Sequence, residues 1–348
     1  MLNAMDAVNR GATIMTRRKV ISAERVKGLW QVVIQNDDGT SELIKAKVLV
    51  NAAGPWVSDV LQTITNVTSK KTLRLVKGSH ILTPRLYSHD RAYIFQNTDG
   101  RIIFTIPYVN DTTLIGTTDE PFDGEPQDAA ISEAEINYLC QSVSEYFQKP
   151  LSPDAIVGSF SGVRPLYDEL GTDEASAVTR DYAFDIDTAN AAPILSVYGG
   201  KLTTYRRLAE HALDQLSDVF PQMSKAWTKT ASLPGGEGGY AAWERREKEL
   251  KARYAFLSED VFQRMVAAHG GNITVFLKDA QSCDDLGDHF GHGLYATEVN
   301  HMLEHEFVRT AEDLLLRRTK LGSLMTDDQW RRVQRYIDAH LPGRAHAA

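Results

Sequence analysis

The sequence predicts a mixed chain, with α/β and α+β parts, that ends in an all-helical region. Two strand–turn–helix units, a strand-rich stretch between them and a C-terminal segment rich in charged helix formers support this fold class. Of the 348 residues, 43% are hydrophobic and 24% are charged. A chain of this length and composition is expected to fold as about two or three domains with buried cores.

The sequence pattern at the start of the chain predicts the end of a helix, followed by a meander of strands. Residues 12–35 alternate apolar and polar positions, in ATIMT and again in WQVVIQ, which is the pattern of half-buried strands. Residues 36–39 (NDDG) then predict a turn before a further strand, because asparagine, aspartate and glycine favour turn conformations.

Two later segments predict a strand, a turn of small residues and a helix. In the first, an apolar strand at residues 48–50 leads into the turn AAG. In the second, ILSVYGGKLTTYRRLAEHALDQL, two glycines separate a strand from a helix that begins at Lys201. Glycines let a ligand approach the backbone and free amides at a helix start attract anions, although close packing alone also explains such turns. The second helix is expected to carry on one face Leu202, Tyr205, Leu208, Ala212 and Leu216.

The middle and the end of the chain differ in pattern. Residues 72–116 predict a β-sheet, because strand-like runs alternate with turn clusters. Ser132 and Glu135 have the spacing of a capping box at the start of a helix that is expected to end near Pro150. Residues 240–348 are rich in charged helix formers and poor in strand patterns, so we predict a separate helical domain there.

Charge and cysteine content exclude several classes of protein. The net charge of −8 argues against a nucleic-acid-binding protein, which needs a basic face. Cys140 and Cys283 are far apart, so neither a disulfide framework nor a thiolate metal site is indicated, and a reducing compartment is expected. No run approaches the ~20 apolar residues of a spanning helix, so the chain is expected to be soluble or peripheral.

A few charged residues are candidates for chemistry. Arg164, Arg180 and Lys77 lie in strand and loop surroundings where a guanidinium or ammonium group could bind a phosphate. His80 is a candidate acid–base residue. Each of these residues, taken alone, also fits a surface charge or a structural ion pair.

The segment HMLEHE contains the spacing His-x-x-Glu-His, in which His301 and His305 could hold zinc and Glu304 could act as the base of a metalloprotease. A zinc metalloprotease is therefore one alternative function. Three fixed residues are a weak pattern, and the strand-rich first part of the chain fits such a protease poorly. We predict no metal site.

Taken together, the motifs of this chain resemble one family. In order along the sequence, they are NAAGPW, RLVKGSHI, IFQNTDGRIIFTIPY, LIGTTDEP, SGVRPLYDE, TRDY and GGKLTTYRRLAEHAL. In this order they resemble the blocks of membrane-linked, FAD-dependent (aerobic) glycerol-3-phosphate dehydrogenases, and the likeness continues to near the end of the chain. The family's N-terminal Gly-x-Gly-x-x-Gly turn has no match here, so we expect an N-terminally truncated form.

The resemblance implies a glutathione-reductase-like FAD domain, here incomplete, a β-sheet substrate domain and an all-α C-terminal domain. The implied boundaries are 1–70 for the partial FAD domain, 71–190 for the substrate domain, 191–222 for the return to the FAD domain and 223–348 for the helical domain.

The resemblance also implies the reaction, which is oxidation of sn-glycerol 3-phosphate to dihydroxyacetone phosphate by hydride transfer to FAD. It places Arg164 near the reacting carbon, Arg180 at the substrate phosphate and Lys201 beside the flavin, and His80 is retained as an acid–base candidate. The implied cofactor contacts are Val20, Gly54, Gly199, Gly200, Lys201 and Thr203.

The implied partners follow from the family. Electrons are expected to pass to a membrane quinone, from a cytoplasmic enzyme attached peripherally to the inner face of the bacterial cytoplasmic membrane, and a homodimer is one expected assembly. Two alternatives stay open beside the protease. One is an oxygen-using glycerol-3-phosphate oxidase, and the other is an inactive, cofactor-free remnant.

Overall fold

The computed structural model describes residues 1–69, 71–167 and 181–341. These residues form two compact units. The sheet unit comprises the described part of residues 17–229, and the helical unit comprises residues 1–16 with residues 230–341. Helix α1 (Leu2–Asn9) therefore belongs to the helical unit. The domain boundaries expected at residues 70, 190 and 222 remain predictions.

The sheet unit contains three sheets and three helices. Its elements in chain order are β1 (Lys19–Val26), β2 (Leu29–Gln35), β3 (Ser41–Ala46), β4 (Leu49–Asn51), α2 (Val57–Asp59), β5 (Leu73–Pro84), β6 (Tyr93–Gln96), β7 (Ile102–Tyr108), β8 (Thr112–Gly116), β9 (Glu120–Pro121), α3 (Glu133–Ser144), β10 (Gly158–Tyr167), β11 (Tyr182–Asp187), β12 (Ile194–Gly199) and α4 (Tyr205–Asp214).

The first sheet is the antiparallel meander β1–β2–β3. The predicted turn at residues 36–39 is confirmed, and the Asn36 amide donates to the Thr40 carbonyl oxygen at 2.8 Å. The predicted strand at residues 12–18 is wrong, because this exposed stretch pairs with no described strand and its alternating residues have no surface to cover. Trp30 anchors the meander, since its buried Nε1 donates to the Pro193 carbonyl oxygen at 2.8 Å.

The second sheet has the order β11–β12–β4, with β12 antiparallel to β11 and parallel to β4. The central strand β12 is buried from Ile194 to Tyr198, which explains its continuous apolar run. After β4 the chain makes a tight turn at Gly54–Trp56, and α2 continues as a π-helical segment, Val60–Thr65. Both predicted strand–turn–helix units are present, and α4 (Tyr205–Asp214), the helix of the second unit, begins at Tyr205 and not at the predicted Lys201.

The third sheet has six strands in the order β10–β5–β8–β7–β6, with β9 also paired to β5. The strands predicted between residues 72 and 116 are confirmed. Helix α3 covers one face of this sheet, where the strands contribute apolar side chains to a shared core with the helix. The buried residues of this shared core are Ile81, Ile103, Ile115, Leu139, Cys140 and Val143. The opposite face of the sheet, which we call the open face, carries exposed apolar side chains.

Helix α3 begins with the predicted capping box of Ser132 and Glu135. The Glu135 side chain is 3% exposed and forms an ion pair with Lys77 at 2.9 Å. It also accepts hydrogen bonds from Ser79 Oγ at 2.8 Å and Thr118 Oγ1 at 2.7 Å. Lys77, considered above for phosphate binding, is thus part of a structural ion pair on the α3 side of the sheet.

Acid is expected to weaken this junction between α3 and the sheet. Burial by itself would raise the pKa of Glu135, but hydrogen bonds from Thr118, Lys77 and neighbouring groups lower it to about 2. A carboxyl whose pKa is lowered by folding stabilises the fold above its unfolded pKa of about 4.5 and loses that contribution as the pH falls towards 2. The loss should amount to about 2–3 kcal/mol.

The measurement is the urea midpoint of the protein between these two pH values. Glu135→Gln should remove the contribution of Glu135 to the pH dependence in this window, about 2–3 kcal/mol, and leave the contribution of the other carboxyls in place. Glu133→Gln, on the exposed side of the same helix, should leave it unchanged. Equal slopes for the protein and for Glu135→Gln would show that Glu135 does not carry the effect.

The helical unit confirms the predicted helical region and adds a short antiparallel ribbon. Two separate cores hold it together, one around α5 to α7 and one around α8 and α9. Among the described residues, every helix is too short or too polar to cross a bilayer. Besides α1, the helical unit contains α5 (Gly239–Arg253), α6 (Glu259–His269), α7 (Ile273–Leu277), β13 (His289–Gly291), β14 (Leu294–Tyr295), α8 (Ala296–His305) and α9 (Asp327–His340).

Candidate functional site

The open face of the six-stranded sheet brings together two of the predicted site residues, His80 and Arg164. His80 on β5 lies opposite Phe160 on β10, and Gly78 lies opposite Gly162. Opposed residues of an antiparallel pair share a face, and successive side chains alternate between faces. His80, Phe160 and Arg164 therefore project on the side of the sheet away from α3.

Three neighbours hold Arg164 over the sheet. Its Nη2 donates to Thr117 Oγ1 at 2.9 Å, its Nη1 donates to the Thr118 carbonyl oxygen at 3.4 Å, and it forms an ion pair with Asp119. A Cβ atom at Gly78 would lie 2.3 Å from Nη2, so the guanidinium occupies space that only glycine leaves open. Because 30% of the side chain is exposed, the guanidinium can still reach a bound anion.

His80 lies on the same face in a largely apolar setting. Its ring stacks on Phe160, with centroids 5.0 Å apart and planes inclined by 9°. A Cβ atom at Gly116 would lie 2.3 Å from its Cδ2, and its buried Nδ1 has no hydrogen-bond partner among the described residues. Burial, and then the charge of Arg164, lower the pKa of His80. Both effects favour the neutral imidazole, which is the form that a general base requires.

The remaining two substrate-binding candidates are Arg180, which lies outside the described residues, and Lys201, which is exposed. The prediction that a helix begins at Lys201 is wrong, because a 3-10 turn at Leu202–Thr204 precedes α4. Gly199 and Gly200 have positive φ angles and Lys201 is extended, so the chain needs this extra turn before the α-helix starts.

The predicted apolar face of this helix is only partly confirmed. Ala212 and Leu216 are buried, and Leu208 packs against them. In contrast, Leu202 is 89% exposed and Tyr205 is 47% exposed. Leu202 lies in the 3-10 turn, where the α-helical period does not apply, so its side chain does not follow the others onto the core.

The three glycines expected at the cofactor have different surroundings. Gly54 has φ +58°, and a Cβ atom there would meet nothing within 4 Å. At Gly199 a Cβ atom would lie 2.7 Å from the Asp181 carbonyl oxygen, and at Gly200 it would lie 3.0 Å from Leu208 Cδ1. The chain's own packing therefore requires Gly199 and Gly200, whereas Gly54 leaves room for a ligand to approach the backbone.

Strand β10 contacts both β12 and the turn Gly54–Trp56. The strand that carries Arg164 thus runs next to both glycine-containing junctions. Thr203 is exposed in the 3-10 turn that follows β12. Val20, the remaining cofactor candidate, is 38% exposed on β1 and belongs to a different sheet from Arg164.

Several residues around the candidate site were missed in the sequence. Phe160 had a readable signal, because alternation in SFSGVRP places it on one face with Arg164. Thr117 and Asp119 had no signal in the sequence, because they contact Arg164 only as a result of the pairing of β5 with both β8 and β10. Their contact depends on the register of three strands.

The His-x-x-Glu-His segment does not form a catalytic zinc site. The His301 side chain is 3% exposed on α8, whereas those of Glu304 and His305 are 63% and 47% exposed. A metalloprotease of this type needs the two histidines and the glutamate around one accessible metal. The protease alternative is therefore not supported by the arrangement of these residues.

Two family models match the chain. An FAD dependent oxidoreductase family matches residues 2–206, and the C-terminal domain of alpha-glycerophosphate oxidase matches residues 226–340. These matches agree with the observed order of a sheet-rich part followed by a helical part. They confirm the predicted family and fold class.

The chain is also similar to named dehydrogenases of polyol phosphates. The chain is 44% identical to a glycerol-3-phosphate dehydrogenase of Pseudomonas aeruginosa, over 100% of this chain and 68% of that protein. It is 43% identical to the aerobic glycerol-3-phosphate dehydrogenase of Escherichia coli K12, over 97% and 67%. It is also 44% identical to a D-erythritol 1-phosphate dehydrogenase of Brucella abortus, over 92% and 64%. The chain spans about two-thirds of the length of these relatives.

A solved structure supports the fold. The glycerol-3-phosphate dehydrogenase from Bacillus halodurans, complexed with FAD, matches with a TM-score of 0.77 and 26% identity. The match covers 98% of this chain and 71% of that one. The chain therefore belongs to the family of FAD-dependent glycerol-3-phosphate dehydrogenases.

Proposed function

We propose that this protein oxidises glycerol 3-phosphate to dihydroxyacetone phosphate as part of an FAD-dependent enzyme. The observation that carries the proposal is that His80 and the anchored guanidinium of Arg164 lie on the same open face of one sheet. Oxidation of a secondary alcohol needs a base for the hydroxyl proton and a cation for the oxygen while hydride leaves the carbon.

The residues have distinct proposed roles. His80 takes the C2 hydroxyl proton, and Arg164 stabilises the negative charge that develops on the C2 oxygen. Arg180 binds the substrate phosphate and Lys201 lies beside the flavin, as the family resemblance implies. Bound FAD supplies the hydride acceptor. The proposed cofactor contacts are Val20, Gly54, Gly199, Gly200, Lys201 and Thr203.

The open backbone at Gly54 supports cofactor binding at the junction after β4. Its positive φ turns the chain sharply, and the empty space where a Cβ atom would lie admits a flat ligand. Val50, on β4 just before this junction, is apolar but 54% exposed, so a bound cofactor would have apolar surface to cover.

We further propose a membrane quinone as electron acceptor, with peripheral attachment to the inner face of the cytoplasmic membrane. The family resemblance implies this acceptor, and the match of residues 226–340 to a glycerophosphate oxidase domain keeps oxygen as the alternative. Turnover with glycerol 3-phosphate should reduce a soluble quinone analogue without stoichiometric hydrogen peroxide. Peroxide formed in proportion to substrate would identify an oxidase instead.

The similarity to a D-erythritol 1-phosphate dehydrogenase makes that polyol phosphate a second candidate substrate. Both substrates carry a phosphate and a secondary hydroxyl, so the same cationic site suits either one. The ratio of kcat/KM for the two compounds distinguishes them.

The first test is the visible absorption spectrum of the purified protein before and after anaerobic addition of glycerol 3-phosphate. Flavin bands that bleach with this substrate are expected. Bleaching with D-erythritol 1-phosphate alone would change the substrate, and a protein that neither contains nor takes up FAD would contradict the proposal.

Gly78→Ala tests whether the position of Arg164 matters for the reaction. The added methyl group would lie 2.3 Å from Arg164 Nη2, so the flexible guanidinium must move away from Thr117. We expect kcat/KM for glycerol 3-phosphate to fall about 10- to 100-fold, because small displacements of a positioned group cost this much. The thermal midpoint should change little, since alanine fits this strand.

Gly162→Ala is the matched control. Gly162 lies directly opposite Gly78 on β10, and a Cβ atom there would meet nothing within 4 Å. This variant should retain the activity of the unsubstituted protein. Equal losses in the two variants would mean that the effect comes from the strand and not from Arg164.

A further inference from the structure

A second cluster of chemically capable side chains lies in the helical unit, far along the chain from the residues discussed above. His269 ends α6, His301 is on α8, and Glu306 follows α8. They are 3%, 4% and 5% exposed, respectively. One donor atom from each lies within 4.8 Å of the donor atoms of the other two.

His269 is oriented by carboxylates on both sides of its ring. Its Nε2 lies 3.0 Å from Glu298 Oε1, and its Nδ1 lies 2.9 Å from Glu306 Oε1. Glu298 is itself held by both terminal nitrogens of Arg264, at 2.6 and 2.7 Å. Without a metal, these two carboxylates raise the pKa of His269 to about 9, against the effect of burial, so a metal that binds Nδ1 must displace its proton. The Nε2–H bond to the anchored Glu298 would then orient the ring, as carboxylates do for metal-bound histidines.

The ring nitrogens of His301 lack hydrogen-bond partners in this cluster. Both of its ring nitrogens are buried and have no hydrogen-bond partner among the described residues. Its Nε2 lies 3.9 Å from Glu306 Oε1, and its ring packs between those of His269 and Phe276. A buried polar atom without a hydrogen-bond partner destabilises the fold, so a ligand that binds Nε2 would remove that penalty.

We propose that His269, His301 and Glu306 form a structural site for a divalent transition metal, with Zn²⁺ as the preferred ion. Two imidazoles and one carboxylate are a set that zinc commonly binds, with a water as fourth ligand. Imidazole nitrogens disfavour Mg²⁺ and Ca²⁺, which prefer oxygen ligands.

The observed spacing suits this ion. Ligands about 2.0–2.1 Å from a tetrahedral zinc are roughly 3.4 Å apart. The two measured separations from Glu306 Oε1, 2.9 Å to His269 Nδ1 and 3.9 Å to His301 Nε2, lie on either side of that value. Metal binding would therefore need only small side-chain movements, and it would tie α6 to α8.

This site differs from the His-x-x-Glu-His pattern read in the sequence. It shares only His301 with that pattern, and its other two ligands come from the end of α6 and from the residue after α8. The exposed side chains of Glu304 and His305 take no part. All three ligands are buried and come from two helices and the residue after one of them, so we assign the metal the role of holding α6 against α8.

The test is zinc binding by the full chain after treatment with a chelator. One equivalent of Zn²⁺ should bind per chain, as measured by elemental analysis after dialysis, and the thermal midpoint should rise. Co²⁺ in place of zinc should give the visible bands of a tetrahedral complex. His301→Leu and Glu306→Gln should each weaken binding at least about tenfold, whereas His305→Ala should bind zinc normally.

Several outcomes would overturn the proposal. One is failure of Zn²⁺ to bind to the chelator-treated protein or to raise its thermal midpoint. Another is zinc binding by His301→Leu that is as tight as binding by the unsubstituted chain. Loss of binding in His305→Ala alone would assign the zinc to the exposed helix surface. If His301→Leu does not fold, Glu306→Gln and the Co²⁺ spectrum of the unsubstituted chain decide. None of these measurements requires flavin, so the result is independent of the proposed oxidoreductase activity.

Discussion

Arg164→Ala is expected to lower kcat/KM for glycerol 3-phosphate by about 100- to 1,000-fold, the usual loss when a donor to a developing oxyanion is removed. The guanidinium is held by Thr117, Thr118 and Asp119, so it is ordered before substrate binds. Alanine leaves these partners in place but removes the cation from the open face. Stopped-flow reduction of the bound flavin by substrate measures the effect directly.

Arg101→Ala is the control for this prediction. Arg101 directly precedes β7 of the same sheet, and its guanidinium stacks on Tyr138 of α3, with the guanidinium carbon 3.7 Å from the ring centroid. Removing it changes the charge of the protein by the same amount on the α3 side of the sheet. Flavin reduction should stay within about threefold of the unsubstituted protein. A similar loss in both variants would argue for a general charge effect.

Arg164→Lys separates charge from geometry. Lysine keeps the positive charge but lacks the planar fork that bonds to Thr117 and Thr118 together. We expect partial activity, between that of the alanine variant and that of the unsubstituted protein. Full activity in Arg164→Lys would show that the fixed geometry is unnecessary and would contradict the role proposed for it.

Glu298→Ala is expected to destabilise the helical unit by about 3–5 kcal/mol, which is the usual cost of removing one partner of a buried ion pair. Glu298 is fully buried and accepts from Arg264 and His269. Burial by itself would raise the pKa of Glu298, but Arg264 and His269 outweigh it and hold the pKa at about 2. The variant leaves Arg264 buried without its carboxylate.

Urea denaturation with a chelator present measures this loss without any contribution from metal binding. Glu304→Ala is the matched control, because Glu304 is a carboxylate on the same helix with a 63% exposed side chain. Its effect should stay within about 0.5 kcal/mol. A loss below about 1 kcal/mol for Glu298→Ala would mean that solvent reaches Arg264 and replaces the ion pair.

Local patterns predicted those elements whose residues pair with near neighbours in sequence. The capping box at Ser132 and Glu135 marked the start of α3 because both hydrogen bonds close within one turn. The meander β1–β3 and the strands β5 to β8 followed from alternation and turn residues. Alternation failed at residues 12–18, where the pattern is present but no strand lies alongside.

The chemistry of the candidate site could be read only in part. Arg164 and His80 were recognised as candidates, yet no local pattern shows that they share a face, because β5 and β10 are about 80 residues apart in sequence. The sequence gives no reason for glycine at positions 78 and 116. The structure supplies one, because the side chains of Arg164 and His80 lie over these two glycines. Their role depends on contacts across neighbouring strands.

The sequence by itself determined the family, through the resemblance of its ordered motifs. It also determined the order of a sheet-rich part and a helical part, and the residue types available for chemistry, because these follow from local periodicity and composition. Only the tertiary structure decided which of those residues meet. It buried Lys77 against Glu135, placed His80 and Arg164 on one open face, and gathered His269, His301 and Glu306 from separate segments. Such groupings depend on strand register and helix packing, which long-range burial of apolar surface selects.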